Sequence, residues 1–304
     1  MNGILIFDKP AGITSHDVVA TVRRTLKLKK VGHTGTLDPF ATGVLPVALG
    51  EATKIIPYLD ESIKEYHAVM ELGVSTDTQD YTGKVLQQKN TDNITQGLIQ
   101  EAMRSFVGTI AQVPPMFSAV KQGGVPLYKK ARLGEEVERA PRQIVIHSLS
   151  LDHVQLPLVT FTVRCSRGTY VRTLANDLGA SLGCGAHLVE LRRTRSGIFS
   201  IDNAIQLDTL QEKFAEGSLS GHLISPLRAL SHLPTLTLTA DGAKNVGFGR
   251  APSTADIETC PTGGILGGQS VCLVRDDKLL AIGSGNDVTT THQEKTISLL
   301  RVFT

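Results

Sequence analysis

The chain has 304 residues, of which 41% are hydrophobic and 20% charged, and its formal net charge is +2. This composition is typical of a globular protein with enough apolar residues for a core, and the length favours one large and one small domain. No apolar run is long enough to span a bilayer, and the start lacks the basic region of a signal peptide, so we expect a cytoplasmic protein.

The four cysteines are widely spaced and form no CxxC pair, which argues against the usual zinc motifs. Cys184 with His187 is the only suggestive pair, and a free cysteine is most often a small buried hydrophobe. Reduced cytosolic thiols are therefore the better interpretation. The sequence predicts no metal.

Basic residues cluster in three segments, at 23–30, 129–142 and 192–195, whereas residues 233–304 are slightly acidic. Such clusters could contact phosphates. Any one of them is also compatible with an ordinary solvated surface, which is the commoner case.

The first half of the chain alternates between strand and helix patterns. A strand over 3–10 ends at Pro10, and a helix follows over 14–28 with Thr14 or Ser15 as its N-cap. Strands are predicted over 64–74 and 83–88, then a helix over 93–108. That helix places Leu98, Ala102 and Phe106 on one face.

The segment from Gln112 to Arg142 is rich in Pro and Gly, and we expect it to be irregular and mobile. Beyond it come a strand over 157–168, a helix over 169–183, a strand over 187–199 and a helix over 201–217. The lack of a regular βαβ rhythm predicts an α+β fold with a mixed, mostly antiparallel sheet. Short β-like runs after about residue 230 predict a small β-rich second domain.

The stretch from Gly32 to Pro46 reads GHTGTLDPFATGVLP and carries a single acidic residue, Asp38. Asp followed by Pro is a favoured helix start, so Asp38 could simply cap a short helix over 39–49. Alternatively, Gly32, Gly35 and Gly43 allow a ligand or a second backbone to come close, in a loop that presents one carboxylate.

Two further segments could complement this loop. Arg167, Tyr170 and Arg172 lie where a strand becomes a helix, and an aromatic ring there can stack on a base while an arginine pairs with a carboxylate or phosphate. Tyr66 lies in a strand pattern, where an aromatic is also an ordinary core residue. Each segment taken alone is explained as well by structure as by function.

Taken together, these segments resemble the conserved blocks of the TruB family, the bacterial tRNA pseudouridine synthases that act on a uridine of the T-arm loop. The resemblance spans residues 1–230 and rests on six segments: DKPAGITSHDVV, GHTGTLDPFATGVLPVALGEATK, KEYHAVMELGVSTDTQDYTG, PPMFSAVKQGGVPLYKKARLG, RCSRGTYVRTLANDLG and HLVELRRTRSGIF. Residues 231–304 resemble more weakly the family's PUA-like RNA-binding domain. The loop from about 123 to 142 diverges from the family pattern.

The resemblance implies a pseudouridine synthase fold and a role for each matching residue. It makes Asp38 the catalytic aspartate, with Arg172 as its partner and Tyr66 against the target base. An arginine close to the Asp38 carboxyl would lower its pKa. The remaining positions implied to contact substrate or border the site are His33, Tyr170, Leu191, Lys9 and Pro10.

The implied reaction breaks and re-forms a glycosidic bond without oxidation or hydrolysis, so we expect an isomerase that needs no cofactor. The expected partner is the T-arm stem-loop of tRNA, bound by a monomer that turns the uridine out of its stack. A non-catalytic RNA binder is the alternative, although a bare carboxylate facing RNA would weaken it. A phosphate-binding enzyme built on the run GGILGGQ at 263–269 is disfavoured, because that run lacks the Lys-Ser/Thr of a P-loop.

Overall fold

A computed structural model describes residues 1–261, 264–285 and 297–303. Within these residues the structure has seven α-helices: α1 (Ser15–Thr25), α2 (Gln96–Ser105), α3 (Leu127–Arg132), α4 (Val171–Ser181), α5 (Leu210–Ala215), α6 (Pro226–Ala229) and α7 (Ala240–Gly247). Short 3-10 helices occupy Gly50–Tyr58, Ile201–Asn203, Ser218–His222 and Thr254–Asp256.

The same residues contain nineteen strands. They are β1 (Gly3–Lys9), β2 (Val31–His33), β3 (Thr42–Leu49), β4 (Ile63–Leu72), β5 (Val74–Thr76), β6 (Val85–Gln88), β7 (Gly108–Gln112), β8 (Lys121–Gln122), β9 (Val125–Pro126), β10 (Arg142–Gln155), β11 (Leu158–Ser166), β12 (Ala186–Ser196), β13 (Phe199–Ser200), β14 (Ile205–Gln206), β15 (Thr235–Leu238), β16 (Ile257–Thr259), β17 (Ser270–Arg275), β18 (Lys278–Gly285) and β19 (Ile297–Val302).

One large sheet organises the first three quarters of the chain, in the order β14-β1-β3-β12-β4-β11-β10-β7, with β2 beside β3 and β13 beside β12. Its pairings are antiparallel except for β1 with β14 and β3 with β12, which are parallel. A second sheet, in the order β16-β15-β17-β18-β19, follows near the carboxyl terminus. This arrangement confirms the predicted mixed, mostly antiparallel sheet and the β-rich carboxyl-terminal part.

Both faces of the large sheet are buried near β1. Leu5 and Phe7 pack into the main core together with α1, whereas Ile4 and Ile6 face the opposite side. There they join a second cluster that includes Cys272 and further residues of the carboxyl-terminal sheet. Because successive strand residues point to opposite faces, a strand buried on both faces must be apolar at every position, which explains the run GILIF.

The prediction of a continuous helix over 201–217 is wrong. Residues 205 and 206 instead form β14, with Ile205 opposite Phe7 and Gln206 opposite Asp8; Ile201–Asn203 is a 3-10 turn, and only Leu210–Ala215 is α-helical. The pairing with the edge of the large sheet competes with the helix there. The face predicted for α2 is correct in part: Ala102 and Phe106 pack against the main core, whereas Leu98 is 46% exposed and the buried residues are Ile99 and Met103.

The segment 112–142 is more regular than its Pro and Gly content suggests, because it contains the β8–β9 hairpin and α3. Backbone hydrogen bonds from Leu127 to Val120 and from Tyr128 to Ser118 hold these elements together. In the carboxyl-terminal part, the first residue of the GGILGGQ run at 263–269 lies outside the described residues.

None of the helices in the described residues is long and apolar enough to cross a membrane. In the same part of the chain, no group of three or more His, Cys, Asp or Glu side chains is placed to hold a metal ion. Cys184 is a buried free thiol whose sulfur lies 3.4 Å from the carbonyl oxygen of Gly185.

Candidate active site

Asp38 lies in a loop, residues 34–41, that connects β2 to β3; we call it the Asp38 loop. The possibility that Asp38 caps a helix is excluded, because residues 42–49 form a central strand paired with both β1 and β12. Leu37 and Phe40 are buried on either side, and Ser15 Oγ accepts a hydrogen bond of 2.9 Å from the Leu37 amide. These anchors hold the Asp38 side chain at the surface of the core, 37% exposed.

Two glycines of the predicted set make the loop possible. Gly35 and Gly43 adopt φ of 61° and 99°, which glycine tolerates best. A Cβ on Gly43 would also stand 2.2 Å from the carbonyl oxygen of Arg193, because β3 passes directly against β12 there. Gly43 therefore permits a close approach of two backbones beside the Asp38 loop.

Lys9 lies beneath this loop and not on its surface. The side chain is fully buried, and Nζ donates hydrogen bonds to the carbonyl oxygens of Pro10, Ile13 and Pro39, at 2.8, 2.7 and 3.1 Å. Burial lowers the pKa of Lys9 to about 8, although the nearby Asp38 charge opposes this shift. Lys9 thus ties the Asp38 loop to the segment after β1, in which Pro10 is exposed.

Arg172, in the first turn of α4, is the direct partner of Asp38. Its Nε lies 2.9 Å from Asp38 Oδ2, while Nη1 and Nη2 each donate a 2.8 Å hydrogen bond, to the carbonyl oxygens of Thr78 and Phe117. The guanidinium is almost completely buried. Because three sides of the group are occupied, its orientation toward Asp38 is determined by the protein itself.

A second carboxylate, Asp80, shares the same guanidinium. Its Oδ2 lies 3.4 Å from Arg172 Nη1, and its Oδ1 accepts hydrogen bonds from the Thr78 hydroxyl and the Thr82 amide at 2.8 and 3.0 Å. The sequence analysis missed Asp80. The available signal was the turn TDTQDYTG, in which a buried Asp folds the backbone around its own side chain.

The pKa of Asp38 is raised above its ordinary value, contrary to the expectation from the arginine alone. Desolvation of the carboxylate is the largest cause; the charge and hydrogen bond of Arg172 oppose it, and the Asp80 charge adds to it. The Asp38 carboxylate is therefore more basic than that of an ordinary aspartate, and Arg172 holds its orientation.

Tyr66 and Leu191 lie on the adjacent strands β4 and β12, where Tyr66 is opposite Arg193 and Leu191 is opposite Ala68. Both side chains are buried. Burial raises the pKa of the Tyr66 hydroxyl, with Arg193 opposing the shift and the Asp38 charge adding to it. Tyr66 is thus in the electrostatic environment of Asp38.

Arg193 is a second buried arginine that the sequence analysis assigned to a basic cluster. It is completely buried, and it donates 2.8 Å hydrogen bonds from Nε to the Val44 carbonyl and from Nη2 to the Gly35 carbonyl. Its neighbour Arg192 forms a paired contact with Asp8 at 2.7 and 3.0 Å. Of the three arginines of this cluster only Arg195 is exposed, so neither phosphate contact nor an ordinary solvated surface describes the segment as a whole.

Tyr170 immediately precedes α4 and is half-buried. Its amide donates to Gln112 Oε1 at 2.8 Å, and Gln112 Nε2 donates back to the Tyr170 carbonyl at 3.0 Å. Burial raises the pKa of the Tyr170 hydroxyl, and the Asp38 charge contributes in the same direction. Arg167, the third residue of the predicted group, is exposed.

His33 ends β2 and packs perpendicular to His16, with ring centroids 5.2 Å apart. Its Nδ1 atom is buried and has no hydrogen-bond partner among the described residues. Burial, with the charges of His16 and Arg193, lowers the pKa of His33, so the ring is neutral at pH 7.

The Asp38 side chain is 37% exposed, so it can be reached from solvent although it is partly desolvated. A separate cavity of about 560 Å³ lies near Arg172 and is lined by Gln79, Phe117, Thr173 and Asp177 among others, but not by Asp38. A carboxylate that can be reached from solvent suits a large substrate that brings its own reacting group to the protein.

Two family models match the chain. The model described as TruB family pseudouridylate synthase (N terminal domain) matches residues 23–171, and the model described as tRNA pseudouridylate synthase B C-terminal domain matches residues 172–230. Relatives called tRNA pseudouridine synthase B are 56% identical in Geotalea uraniireducens and 54% in Geobacter sulfurreducens, each over 303 residues. These alignments cover all of this chain and 98% and 100% of the relatives.

Solved structures show the same fold. A Cbf5-Nop10-Gar1 complex matches with a TM-score of 0.76 and 30% identity, over 99% of this chain and 85% of that one. An H/ACA RNP bound to a substrate RNA containing 2′-deoxyuridine matches with a TM-score of 0.76 and 28% identity, over the same shares of the two chains. The chain belongs to the TruB family of pseudouridylate synthases.

Proposed function

We propose that this chain converts a uridine in the T-arm loop of tRNA to pseudouridine, and that Asp38 is the catalytic group. The observation that carries the proposal is a contact of 2.9 Å: it joins Asp38, in a glycine-bearing loop, to the buried Arg172 of α4. The names of the relatives support tRNA as the substrate class.

The reaction requires one group close to the sugar–base junction. The bond from N1 of uracil to C1′ of ribose breaks, the base turns, and a bond forms from C5 to C1′; C5 then loses its proton and N1 gains one, so the composition of the nucleoside is unchanged. Asp38 can serve by attacking C1′ or C6, or by removing a ribose proton, and it is regenerated at the end. Arg172 binds Oδ2, and no hydrogen bond in the described part of the chain reaches Oδ1, so that oxygen is available to the substrate.

Raising the pKa of Asp38 helps in this role. A carboxylate with an elevated pKa is a stronger base and nucleophile, provided that it remains ionised at the working pH. Arg172 favours the ionised form of Asp38, because its positive charge opposes the effect of desolvation. Desolvation therefore makes Asp38 more basic, while Arg172 favours the ionised form that the proposed mechanism requires.

The uridine must leave its stack to reach Asp38, which costs a few kcal/mol. We assign the stacking contact with the turned-out base to Tyr66, with Leu191 on the neighbouring strand as an apolar wall. Tyr170 borders the same site before α4. His33, with a neutral and half-buried ring, is suited to contact the opened loop, and Pro10 is exposed above the buried Lys9.

The 112–142 segment is fastened to the site at two points. Phe117 accepts a hydrogen bond from Arg172, and Gln112 forms two with Tyr170. Movement of this segment on RNA binding would therefore be communicated directly to the Asp38 site. We propose that it closes over the T-arm, and that residues 231–304 form a separate RNA-binding domain on a monomeric, cytoplasmic protein.

The assignment is tested with an unmodified tRNA transcript and sequencing that locates pseudouridine. We expect one modified position, in the T-arm loop, without added metal or nucleotide. A matched transcript in which that uridine is replaced by cytidine is the control and should yield no pseudouridine elsewhere. Modification in another arm, or none at all, would contradict the proposed substrate site.

A further inference from the structure

Three aromatic side chains among the described residues expose more than a third of their surface: Tyr81 at 53%, Phe214 at 41% and Phe248 at 73%. Phe214 belongs to α5 and Phe248 follows α7, so both lie in elements other than those of the Asp38 site. Tyr81 differs from them in its position and in the way it is held.

Tyr81 lies next to the catalytic group in space. It directly follows Asp80, whose carboxylate contacts Arg172 at 3.4 Å, and its ring packs against Phe40, two residues after Asp38. The centroids of the two rings are 5.7 Å apart and their planes meet at 86°. Phe40 is buried, so Tyr81 forms the exposed half of the pair at the border of the Asp38 loop.

The backbone around Tyr81 is held before any ligand arrives. Its amide donates a 2.8 Å hydrogen bond to the Leu188 carbonyl. On either side, Asp80 accepts from the amides of Thr82 and Gly83 at 3.0 and 3.2 Å. The perpendicular contact with Phe40 involves only part of the Tyr81 ring, and 53% of the residue is exposed, which leaves surface for a planar group.

We propose that Tyr81 is a stacking platform for an unpaired base of the RNA substrate, adjacent to the uridine that enters the Asp38 site. The inference rests on the proposed function, since it places Tyr81 beside RNA already bound at Asp38. An exposed ring on a well-held backbone suits a nucleobase, because every base presents a flat π-face for stacking. Of the exposed residues that follow Tyr81, Thr82 and Lys84 are polar and Lys84 is basic, which suits RNA, while Val85 and Leu86 in β6 are apolar and 62% and 69% exposed.

The test uses the full chain and a T-arm stem-loop RNA. Tyr81→Leu keeps apolar contact with Phe40 but removes the aromatic face, Tyr81→Phe keeps the ring and removes the hydroxyl, and Phe214→Leu is the matched control. We expect Tyr81→Leu to raise the dissociation constant about tenfold to a hundredfold, with the single-turnover rate at saturation nearly unchanged. Tyr81→Phe and Phe214→Leu should stay within about twofold of the parent protein.

A second arm identifies the stacked base. Each unpaired nucleotide of the RNA is replaced in turn by an abasic residue, and the loss of affinity is compared for the parent protein and Tyr81→Leu. At one position the two losses should not add, which is the signature of a direct contact. Additive losses at every position would overturn the proposal, as would equal weakening by Tyr81→Phe and Tyr81→Leu.

Failure of this inference is separable from failure of the proposed function. If the parent protein forms pseudouridine and Tyr81→Leu binds the RNA equally well, the role of Tyr81 is overturned while the catalytic assignment stands. If the parent protein forms no pseudouridine in the T-arm loop, both are overturned. Thermal unfolding of each variant verifies that exposed-site changes leave the fold intact.

Discussion

Two buried arginines border the Asp38 loop, and they differ in the groups that their guanidinium binds. Arg172 contacts two carboxylates, Asp38 at 2.9 Å and Asp80 at 3.4 Å. Arg193 donates to two main-chain carbonyls, of Gly35 and Val44, and its Nη1 is buried without a hydrogen-bond partner in the described residues. One arginine is paired with the proposed catalytic carboxylate, and the other is hydrogen-bonded to the backbone of the loop that carries it.

The difference shows that burial of a charge does not by itself identify a catalytic group. A guanidinium paired with carboxylates influences their protonation, whereas one bonded to carbonyls stabilises a loop conformation. The two roles predict different balances between lost stability and lost turnover, and replacement of each arginine measures that balance.

Replacing Arg172 should have the largest effect on turnover among these changes. Arg172→Met leaves Asp38 and Asp80 close together without a cation, which raises the pKa of Asp38 further and frees its orientation. We expect a loss of about a hundredfold or more in the single-turnover rate and of about 3–5 kcal/mol in the free energy of unfolding. Arg195→Met, at an exposed position, is the control. Near-normal turnover for Arg172→Met would remove the distinction between the two arginines.

Compared with the replacement of Arg172, replacing Arg193 should affect stability more than turnover. Arg193→Met leaves the Gly35 and Val44 carbonyls buried without donors, at a cost of about 1–3 kcal/mol for each unsatisfied group. We expect a large fall in stability in urea unfolding, with a rate loss smaller than that of Arg172→Met when both are measured well below their unfolding temperatures. A variant that is stable but inactive would instead place Arg193 in the chemistry.

Asp80→Asn tests how the second carboxylate at Arg172 affects the pKa of Asp38. The Asp80 charge raises the pKa of Asp38, so removing it should lower that pKa and allow activity to persist to lower pH. The parent rate should fall with decreasing pH through a value above the ordinary aspartate pKa, because the ionised form of Asp38 is required. The check is the acidic limb of the single-turnover rate for both proteins. A limb that moves to higher pH in the variant would contradict the sign.

Lys9 should have the smallest effect on turnover, and its prediction concerns the pH dependence of stability. Its pKa falls from about 10.5 in the unfolded chain to about 8 in the folded protein, so the unfolded state binds more protons between those values. This group therefore makes stability rise with pH across that window. Comparing urea unfolding at pH 7.5 and pH 10, Lys9→Met should lack the increment seen in the parent protein. Identical increments would show that the Lys9 pKa is not depressed.

Much of the fold could be predicted from the sequence, because strong local patterns coincide with it. The apolar run of β1, the capped helix α1 and the turn residues around Asp38 are all local signals. β14 and part of the buried face of α2 were missed, because both depend on a distant partner: Phe7 for Ile205, and the core for Ile99.

The site was predictable only where a residue type implies chemistry. Asp38 stood out as a lone carboxylate among glycines, and Arg172 as an arginine at a helix start. Asp80 and Arg193 were missed, since nothing in the local sequence shows that Asp80 shares a guanidinium with Asp38 or that one arginine of a basic cluster turns inward. Those facts arise when β4, β12 and α4 come together.

The most direct test is the single-turnover rate of Asp38→Asn with a T-arm stem-loop RNA at saturating protein, together with its dissociation constant. The substitution keeps the size of the side chain and removes its charge. The account predicts a rate below about one part in 10⁴ of the parent value, with binding retained or tightened because a negative charge near phosphate is lost. Turnover close to the parent rate would contradict it.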